Sequence, residues 1–195
     1  MKTPYDVYET ADEAHRRRRN GRFANGVTLI ELMVGLAIGA LLLLIGVPSY
    51  YAWIADEQLM NHARLLDGSL KLARSEAIKR GHRVNLCKSS DGLQCTDVGG
   101  WDQGFVLHVD VDASGEVDGT DTVLRFERPP SGIQVAANRP LADYVSFTSL
   151  GQARMLSGAL QMGTFTVCKS GLRSVIVVLV ATGRVRMART ATICP

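Results

Sequence analysis

The feature that most constrains this chain is an apolar stretch close to its N-terminus. Across residues 27–54 the only formally charged side chain is Glu31. A stretch of this length can cross the roughly 30 Å hydrocarbon core of a bilayer as a helix. A carboxylate inside hydrocarbon is costly and is retained where it has a function. We therefore expect a membrane-spanning helix that carries one functional acid near its N-terminal end.

The residues before this stretch predict its orientation. Arginines occupy positions 16–19 and 22, just upstream of the apolar residues. Basic residues on one flank of a membrane segment hold that flank in the cytoplasm. An ordinary secretory signal places its apolar region before the cleavage site and loses it. Here Gly26 precedes the apolar stretch, so cleavage after Gly26 would keep the helix in the mature protein.

The string of residues from Gly26 to Glu31 resembles the signal of type IV prepilins. The resemblance implies that a prepilin peptidase cuts after Gly26 and that Val27, where the family usually has phenylalanine, becomes the methylated N-terminus. Pro48 lies where the family usually has a helix-loosening proline. In a bundle of such helices Glu31 can pair with the free amine of a neighbouring subunit and set the register of the filament. The alternative is a plain single-span anchor.

The residues beyond the membrane segment predict an α+β fold. Apolar residues at steps of three and four continue the helix with one apolar stripe, and Gly81 is a candidate C-cap. The stripe consists of Leu59, Ala63, Leu66, Leu70, Ala73 and Ala77. Alternating segments then predict strands at 83–87, 104–109, 122–126, 144–147, 163–167 and 174–180. We expect one long transmembrane-to-amphipathic helix packed on a globular domain of antiparallel β-sheet.

This pattern divides the chain into four parts. They are a cleaved cytoplasmic leader at 1–26, a transmembrane helix at 27–54, an amphipathic extension at 55–81 and a β-rich domain at 82–195. Residues 85–124 contain eight acids and one base, whereas residues 125–195 contain nine bases and two acids. This asymmetry indicates either an anionic partner for the C-terminal part, or acidic and basic segments that face each other in the fold.

Four cysteines, Cys87, Cys95, Cys168 and Cys194, all follow the membrane segment. With the N-terminus inside, one span places them in an oxidising compartment, where an even count indicates two disulfides with three connectivities. We favour Cys87–Cys95, which closes a local loop, and Cys168–Cys194, which ties the C-terminal tail to a strand. Their spacing does not match a zinc site.

Four local strings, taken together, resemble the GspH/FimT branch of minor pilins and pseudopilins. They lie at residues 73–78, at the strand that ends in Cys87, at residues 101–105 and at residues 183–186. The resemblance implies a type IV pilin-like subunit of low abundance that helps to prime or cap a filament. Its implied partners are the prepilin peptidase, other pilin or pseudopilin subunits and the inner membrane. It implies a single-pass protein with a cytoplasmic N-terminus and a periplasmic domain, which becomes part of a surface filament after assembly.

The FimT-like members of this branch are linked to DNA binding during natural transformation. If the strand at 174–180 or its extension continues, Arg184 and Arg186 project from one face and could clamp successive phosphates of double-stranded DNA. Lys169, Arg173 and Arg189 are sequence neighbours that could enlarge the patch. Such binding would depend on salt and would lack sequence preference. The alternative is a solvated strand edge that its charges protect from pairing.

The segment from Asp110 to Asp121 has the spacing of a calcium loop. Oxygen-bearing side chains fall at positions 1, 3, 5, 9 and 12 of the segment, with Gly115 at position 6. Position 12 is aspartate rather than the longer glutamate, and the flanks read as strands rather than helices. We therefore favour an acidic hairpin loop rich in Asx turns, without a metal.

The chain has no recognisable catalytic motif. His15, His62, His82 and His108 have no partner at a motif spacing, and there is neither a nucleophile elbow nor a phosphate loop. Trp101 and Phe105 are expected to anchor the core. We thus predict no enzyme and no cofactor. The favoured function is type IV pilus assembly with DNA capture, and the alternative is a minor pseudopilin of a type II secretion system.

Overall fold

A computed structural model of the chain describes residues 26–195. The expected leader and its arginines therefore lie outside the described residues, apart from Gly26. The described residues divide into two compact units, with the boundary between Ser49 and Tyr50. One long helix, α1 (Leu29–Arg80), contributes to both.

The N-terminal end of α1 is defined by a threonine cap. The backbone N–H of Glu31 donates to Thr28 Oγ1 at 3.2 Å, and that of Leu32 donates to the Thr28 carbonyl at 3.1 Å. Thr-x-x-Glu is the sequence of a capping box. The helix therefore begins at Leu29, two residues after the expected start of the transmembrane helix at 27. Its apolar portion has a mean hydropathy of 2.5 over 18 residues, so it is long and apolar enough to cross a membrane.

The C-terminal portion of α1 belongs to the second unit and buries the predicted stripe. All six stripe residues are fully buried there, and His62 and Ser69 are buried beside them. The helix ends where Gly81, with φ +71°, donates its N–H to the Ala77 carbonyl at 3.0 Å. The predicted stripe and C-cap are thus confirmed.

Within residues 26–195, eight strands form two antiparallel four-stranded sheets. They are β1 (Arg83–Lys88), β2 (Phe105–Asp110), β3 (Thr122–Glu127), β4 (Gln134–Ala137), β5 (Tyr144–Phe147), β6 (Gly163–Cys168), β7 (Arg173–Leu179) and β8 (Val185–Ile193). The first sheet has the order β3-β2-β1-β5 and the second the order β4-β6-β7-β8. This arrangement confirms the predicted α+β fold with antiparallel sheets.

An aromatic cluster joins the two sheets. The Trp101 ring meets Phe165 of β6 edge-on at 5.0 Å and lies 6.2 Å from Phe105 of β2. Its indole Nε1 donates to the Leu141 carbonyl at 2.9 Å. Trp101 and Phe105 are each 2% exposed, so both anchor the core as predicted.

Six predicted strands agree with the structure to within one residue at each end, whereas β4 and β8 are additional. The arginine-containing residues 184–189 do not continue strand β7. Instead, the chain turns after β7, where the N–H of Gly183 donates to the Val180 carbonyl at 2.8 Å. It then returns as β8, antiparallel to β7. The turn is possible because Gly183 adopts a φ of +79°, which glycine reaches without strain.

Two disulfides join the four cysteines in the favoured pairing. Cys87 pairs with Cys95 and Cys168 with Cys194. The first bridge ties β1 to the loop after it, and the second ties the end of β6 to the residue after β8.

Removing each disulfide should destabilise the domain to a degree set by loop length. Loop-closure entropy gives about 3.5 kcal/mol for the Cys168–Cys194 bridge, whose sequence separation is 26. It gives about 2.5 kcal/mol for the Cys87–Cys95 bridge, whose separation is 8. Urea unfolding of the full chain in detergent, with each pair changed to alanine, checks this order. A larger cost for the shorter loop would contradict it.

Candidate functional site

The hairpin between β7 and β8 presents two arginines to solvent. Arg184 closes the turn by accepting the N–H of Val180 at 3.0 Å through its carbonyl. Arg184 and Arg186 are exposed, whereas Val185 between them packs against the core. Strand alternation thus directs both guanidinium groups away from the core. We call this pair, Arg184 and Arg186, the basic hairpin.

Close backbone packing fixes the basic hairpin against α1. A Cβ atom at Gly183 would clash with the carbonyl oxygen of Gly151 and lie 3.0 Å from Arg74 Nε. Arg74 Nε in turn donates to that same Gly151 carbonyl at 3.0 Å. The glycine is therefore required both for its backbone conformation and for space, and the turn is held by the helix.

A groove of about 530 Å³ runs between α1 and the hairpin. It is lined by Lys71, Arg74, Ser75 and Ile78 of the helix and by Gly183, Arg184 and Val185 of the hairpin. Lys71 pairs with Asp67 at 2.6 Å. Among the described residues, neither Arg184 nor Arg186 has a salt bridge.

Lys71 and Arg74 are site residues that the sequence did not identify. Arg74 belongs to the string at 73–78 that resembles the pilin family, but nothing local in the sequence brings it to Arg184. Only the folded backbone places the two strings together.

The other three predicted DNA-binding residues do not join the basic hairpin in one patch. Arg189 bonds Asp56 of α1 at 2.8 Å, and this hydrogen bond raises the pKa of its guanidinium. Lys169 donates to Gln58 of α1 at 2.7 Å. Arg173 is exposed but lies at the opposite end of β7, across from Ile193. An odd spacing on a strand places Arg186 and Arg189 on opposite faces, so these residues do not form one continuous patch with the basic hairpin, and their role in DNA binding stays a prediction.

The acidic and basic segments do not neutralise each other through salt bridges. Within residues 85–195, all of which the structure describes, no acid of residues 85–124 pairs with a base of residues 125–195. One salt bridge joins a base of the first segment to an acid of the second, Lys88 with Asp143 at 2.8 Å. The structure thus gives no support to the alternative that the two segments face each other as ion pairs.

The acidic loop between β2 and β3 contains the expected Asx turns. Asp112 Oδ1 accepts from the Ser114 N–H at 3.0 Å, and Asp118 Oδ1 accepts from the Thr120 N–H at 2.7 Å. Beneath the loop, burial lowers the pKa of His108 and raises the pKa of Asp110.

The remaining predicted sites lie at the start of α1. Gly26, Val27 and Glu31 are exposed. A side chain added at Gly26 would meet nothing within 4 Å, so this segment of the described chain is sterically open.

An exposed apolar N-terminal helix, preceded by the Gly26 signal and followed by antiparallel sheets, defines the type IV pilin-like class of proteins. Residues 62–183 match the family model described as type II transport protein GspH. Residues 21–47 match the prokaryotic N-terminal methylation motif. Because the first match spans more than half of the chain, the chain belongs to the GspH family.

A solved minor pilin shares this fold in two crystal forms. The type IV minor pilin FimU of Pseudomonas aeruginosa has a TM-score of 0.54 and 19% identity, over 71% of this chain and 94% of FimU. A second crystal form of FimU has a TM-score of 0.51 and 19% identity, over 69% of this chain and 96% of FimU. The minor pseudopilin EpsH of the Vibrio cholerae type 2 secretion system has a TM-score of 0.47 and 14% identity, over 69% of this chain and 99% of EpsH. No curated protein sequence matches.

These findings place the chain in the GspH family and give it the fold of a solved type IV minor pilin. Members of this family are structural subunits that associate with other pilin subunits rather than known enzymes. The methylation motif and the apolar helix fit a membrane-anchored subunit that enters a filament.

The close packing at Gly183 makes a measurable prediction. Gly183→Ala should destabilise the domain by about 3 kcal/mol, because the new Cβ adds a backbone clash to the left-handed strain. Gly171→Ala is the matched control, since Gly171 has a φ of +77° but open space around it, and should cost about 1 kcal/mol. Urea unfolding of both full-length variants tests this difference. Equal costs would show that the contact with Gly151 is not tight.

Proposed function

We propose that this protein is a minor pilin of a type IV pilus and that its basic hairpin binds DNA without sequence preference. The observation that carries the proposal is the geometry of Arg184 and Arg186. Both side chains are exposed, unpaired among the described residues and fixed on a hairpin packed against α1. No ion pair has to be broken before a phosphate can bind.

The spacing of the two arginines suits a phosphate backbone. Arg184 immediately precedes β8 and Arg186 lies within it. Residues two apart in an extended chain are separated by roughly 7 Å, so the two guanidinium groups can reach neighbouring phosphates. Each contact releases condensed counterions and supplies affinity without reading bases. The groove beside Arg184, with Lys71 and Arg74, extends the same positive surface onto the helix.

A role in type II secretion is the second candidate. It is supported by the matching family model, which is described as a type II transport protein. In that role the domain would contact other pseudopilins or an exported protein. Deleting the gene separates the two roles, because loss of pili and of DNA uptake supports the first, whereas loss of protein secretion supports the second.

The sequence of the N-terminal segment is the basis for a second proposal, on processing and membrane insertion. We propose that a prepilin peptidase cleaves after Gly26 and that Val27 is then methylated, in line with the motif match at residues 21–47. The N-terminus would face the cytoplasm and the domain the periplasm of an inner-membrane protein. After assembly into a surface filament, Glu31 would pair with the amine of a neighbouring subunit.

DNA binding should depend on the basic hairpin and on salt. The full chain in detergent should bind fluorescent double-stranded DNA in an anisotropy titration, and Arg184→Gln with Arg186→Gln should abolish most of the binding at moderate salt. Losing two phosphate contacts should reduce the slope of log K against log salt by about 2.

The matched control removes the same charge from another exposed place. Arg125→Gln with Arg139→Gln should leave binding within about twofold, because charge far from a contact acts weakly through screened solvent. Equal losses of DNA binding in the hairpin variant and in this control would point to nonspecific charge and refute the assigned site.

Arg173→Gln separately tests whether the DNA-binding site reaches the far end of β7.

The side chain and the backbone of the first helical turn can be tested separately. Glu31→Gln keeps the backbone cap on Thr28 but removes the charge, so we expect correct cleavage before Val27 and a severe loss of incorporation into filaments. Thr28→Val removes the cap, costs about 1 kcal/mol of helix stability and should assemble nearly normally. N-terminal sequencing and immunoblots of sheared filaments give both readouts. If Glu31→Gln assembled as well as Thr28→Val, the register role would be refuted.

A further inference from the structure

Three carboxylates converge at the end of β2, far along the chain from the basic hairpin. Asp110, Asp112 and Asp121 each offer an oxygen, and these oxygens lie within 4.8 Å of one another. They hold positions 1, 3 and 12 of the loop whose spacing resembles a calcium loop. The N–H of Val111 donates to Asp121 Oδ1 at 3.0 Å, which brings the two ends of the loop together.

Two of these carboxylates are buried and only partly satisfied. Asp110 is 1% exposed, and its Oδ2 accepts from Asn85 Nδ2 at 2.6 Å and from the Gly115 N–H at 3.2 Å. Within the described part of the chain, Asp110 Oδ1 and Asp121 Oδ2 are buried without a hydrogen-bond partner. Buried carboxylates this close repel each other and lack the hydration that would stabilise their charge.

A histidine outside the acidic cluster is directed into it. The His108 side chain is fully buried, and its Nε2 lies 3.9 Å from Asp121 Oδ2. Neither ring nitrogen has a hydrogen-bond partner among the described residues. Buried polar groups are nearly always bonded, so this imidazole and the two carboxylate oxygens lack a partner that a further polar group would supply.

We propose that Asp110, Asp112 and Asp121 bind one calcium ion. A cation would satisfy the two buried oxygens, relieve their repulsion and leave Asp112, which is exposed, to close the site from the solvent side. Calcium takes six to eight oxygen ligands in flexible geometry and accepts waters and carbonyls among them. Zinc prefers thiolate and imidazole, and the nearby Cys87 and Cys95 are joined in a disulfide.

The ion would stabilise the connection between β2 and β3. The loop packs on the neighbouring disulfide, where Cys95 Sγ lies 3.6 Å from the Gly115 carbonyl oxygen. Strand β3 lies at the edge of its sheet and is largely exposed, and it pairs with β2. One calcium ion bound by residues at both ends of the loop would tie that edge strand to β2. This role is independent of DNA binding, since the basic hairpin belongs to the other sheet.

Calcium titration of the full chain in detergent, after treatment with EGTA, tests the proposal. Calorimetry should show one ion per chain, and calcium at about 100 times its dissociation constant should raise Tm by about 5 °C or more. Calcium should also slow proteolytic cleavage within residues 111–121. Magnesium and zinc, each added alone, are the comparison ions.

The variants separate a specific site from diffuse negative charge. Asp112→Asn and Asp121→Asn should each weaken calcium binding by at least about tenfold. The matched control, Glu116→Gln, removes the same charge from an exposed residue of the same loop that lies outside the cluster, and should bind within about twofold. No heat and no Tm shift at millimolar calcium would overturn the proposal, and so would equal losses in all three variants. Tighter binding of magnesium, or of zinc in a manner that His108→Gln abolishes, would overturn the assignment to calcium.

Discussion

Burial of one stripe of α1 is the interaction on which the second unit depends. Its leucines and alanines belong to the same buried cluster as core residues from both sheets. Each buried leucine contributes about 1.5–3 kcal/mol relative to exposure, which is a large share of the 5–15 kcal/mol that typically separates a folded domain from its unfolded state. Neither sheet could bury its inner face equally well without this helix.

The same helix also positions the candidate site. Arg74 follows the stripe residue Ala73 and bonds the Gly151 carbonyl, against which the Gly183 backbone packs. The alanines bring the helix close to the sheets, and the glycines bring two loops close to the helix. The exposure of Arg184 and Arg186 is therefore a consequence of how tightly the turn beneath them is packed.

The sequence predicts those parts of the molecule whose signal is local. The stripe on α1, the Gly81 cap and six strands follow from periodicity and from glycine. The cysteine count predicts two disulfides with three connectivities, and the structure has the favoured one. Strand β4 was missed because it has only four residues, Gln134–Ala137, and little β-branched character. Strand β8 was missed because it is an edge strand with exposed arginines that interrupt the apolar alternation.

The sequence could not predict contacts between distant segments. No local sequence pattern predicts that Arg74 lies near Arg184. Nor does any predict that Arg189 forms a salt bridge with Asp56. The calcium-like spacing was visible, but the burial of Asp110 and the direction of His108 depend on the folded sheet. Local sequence patterns thus identify the candidate residues, whereas only the folded structure shows which of them lie in one site.

The position of Glu31 in the first turn explains how an apolar helix can retain an acid. The cap on Thr28 uses the backbone N–H of Glu31, so its carboxylate stays available to a partner. A negative charge at a helix N-terminus interacts favourably with the helix dipole, typically by 0.3–1 kcal/mol, which offsets part of the cost of placing it near hydrocarbon. In the middle of α1 the same carboxylate would lose this compensation. An acid in this apolar helix is therefore tolerated best where this chain has it.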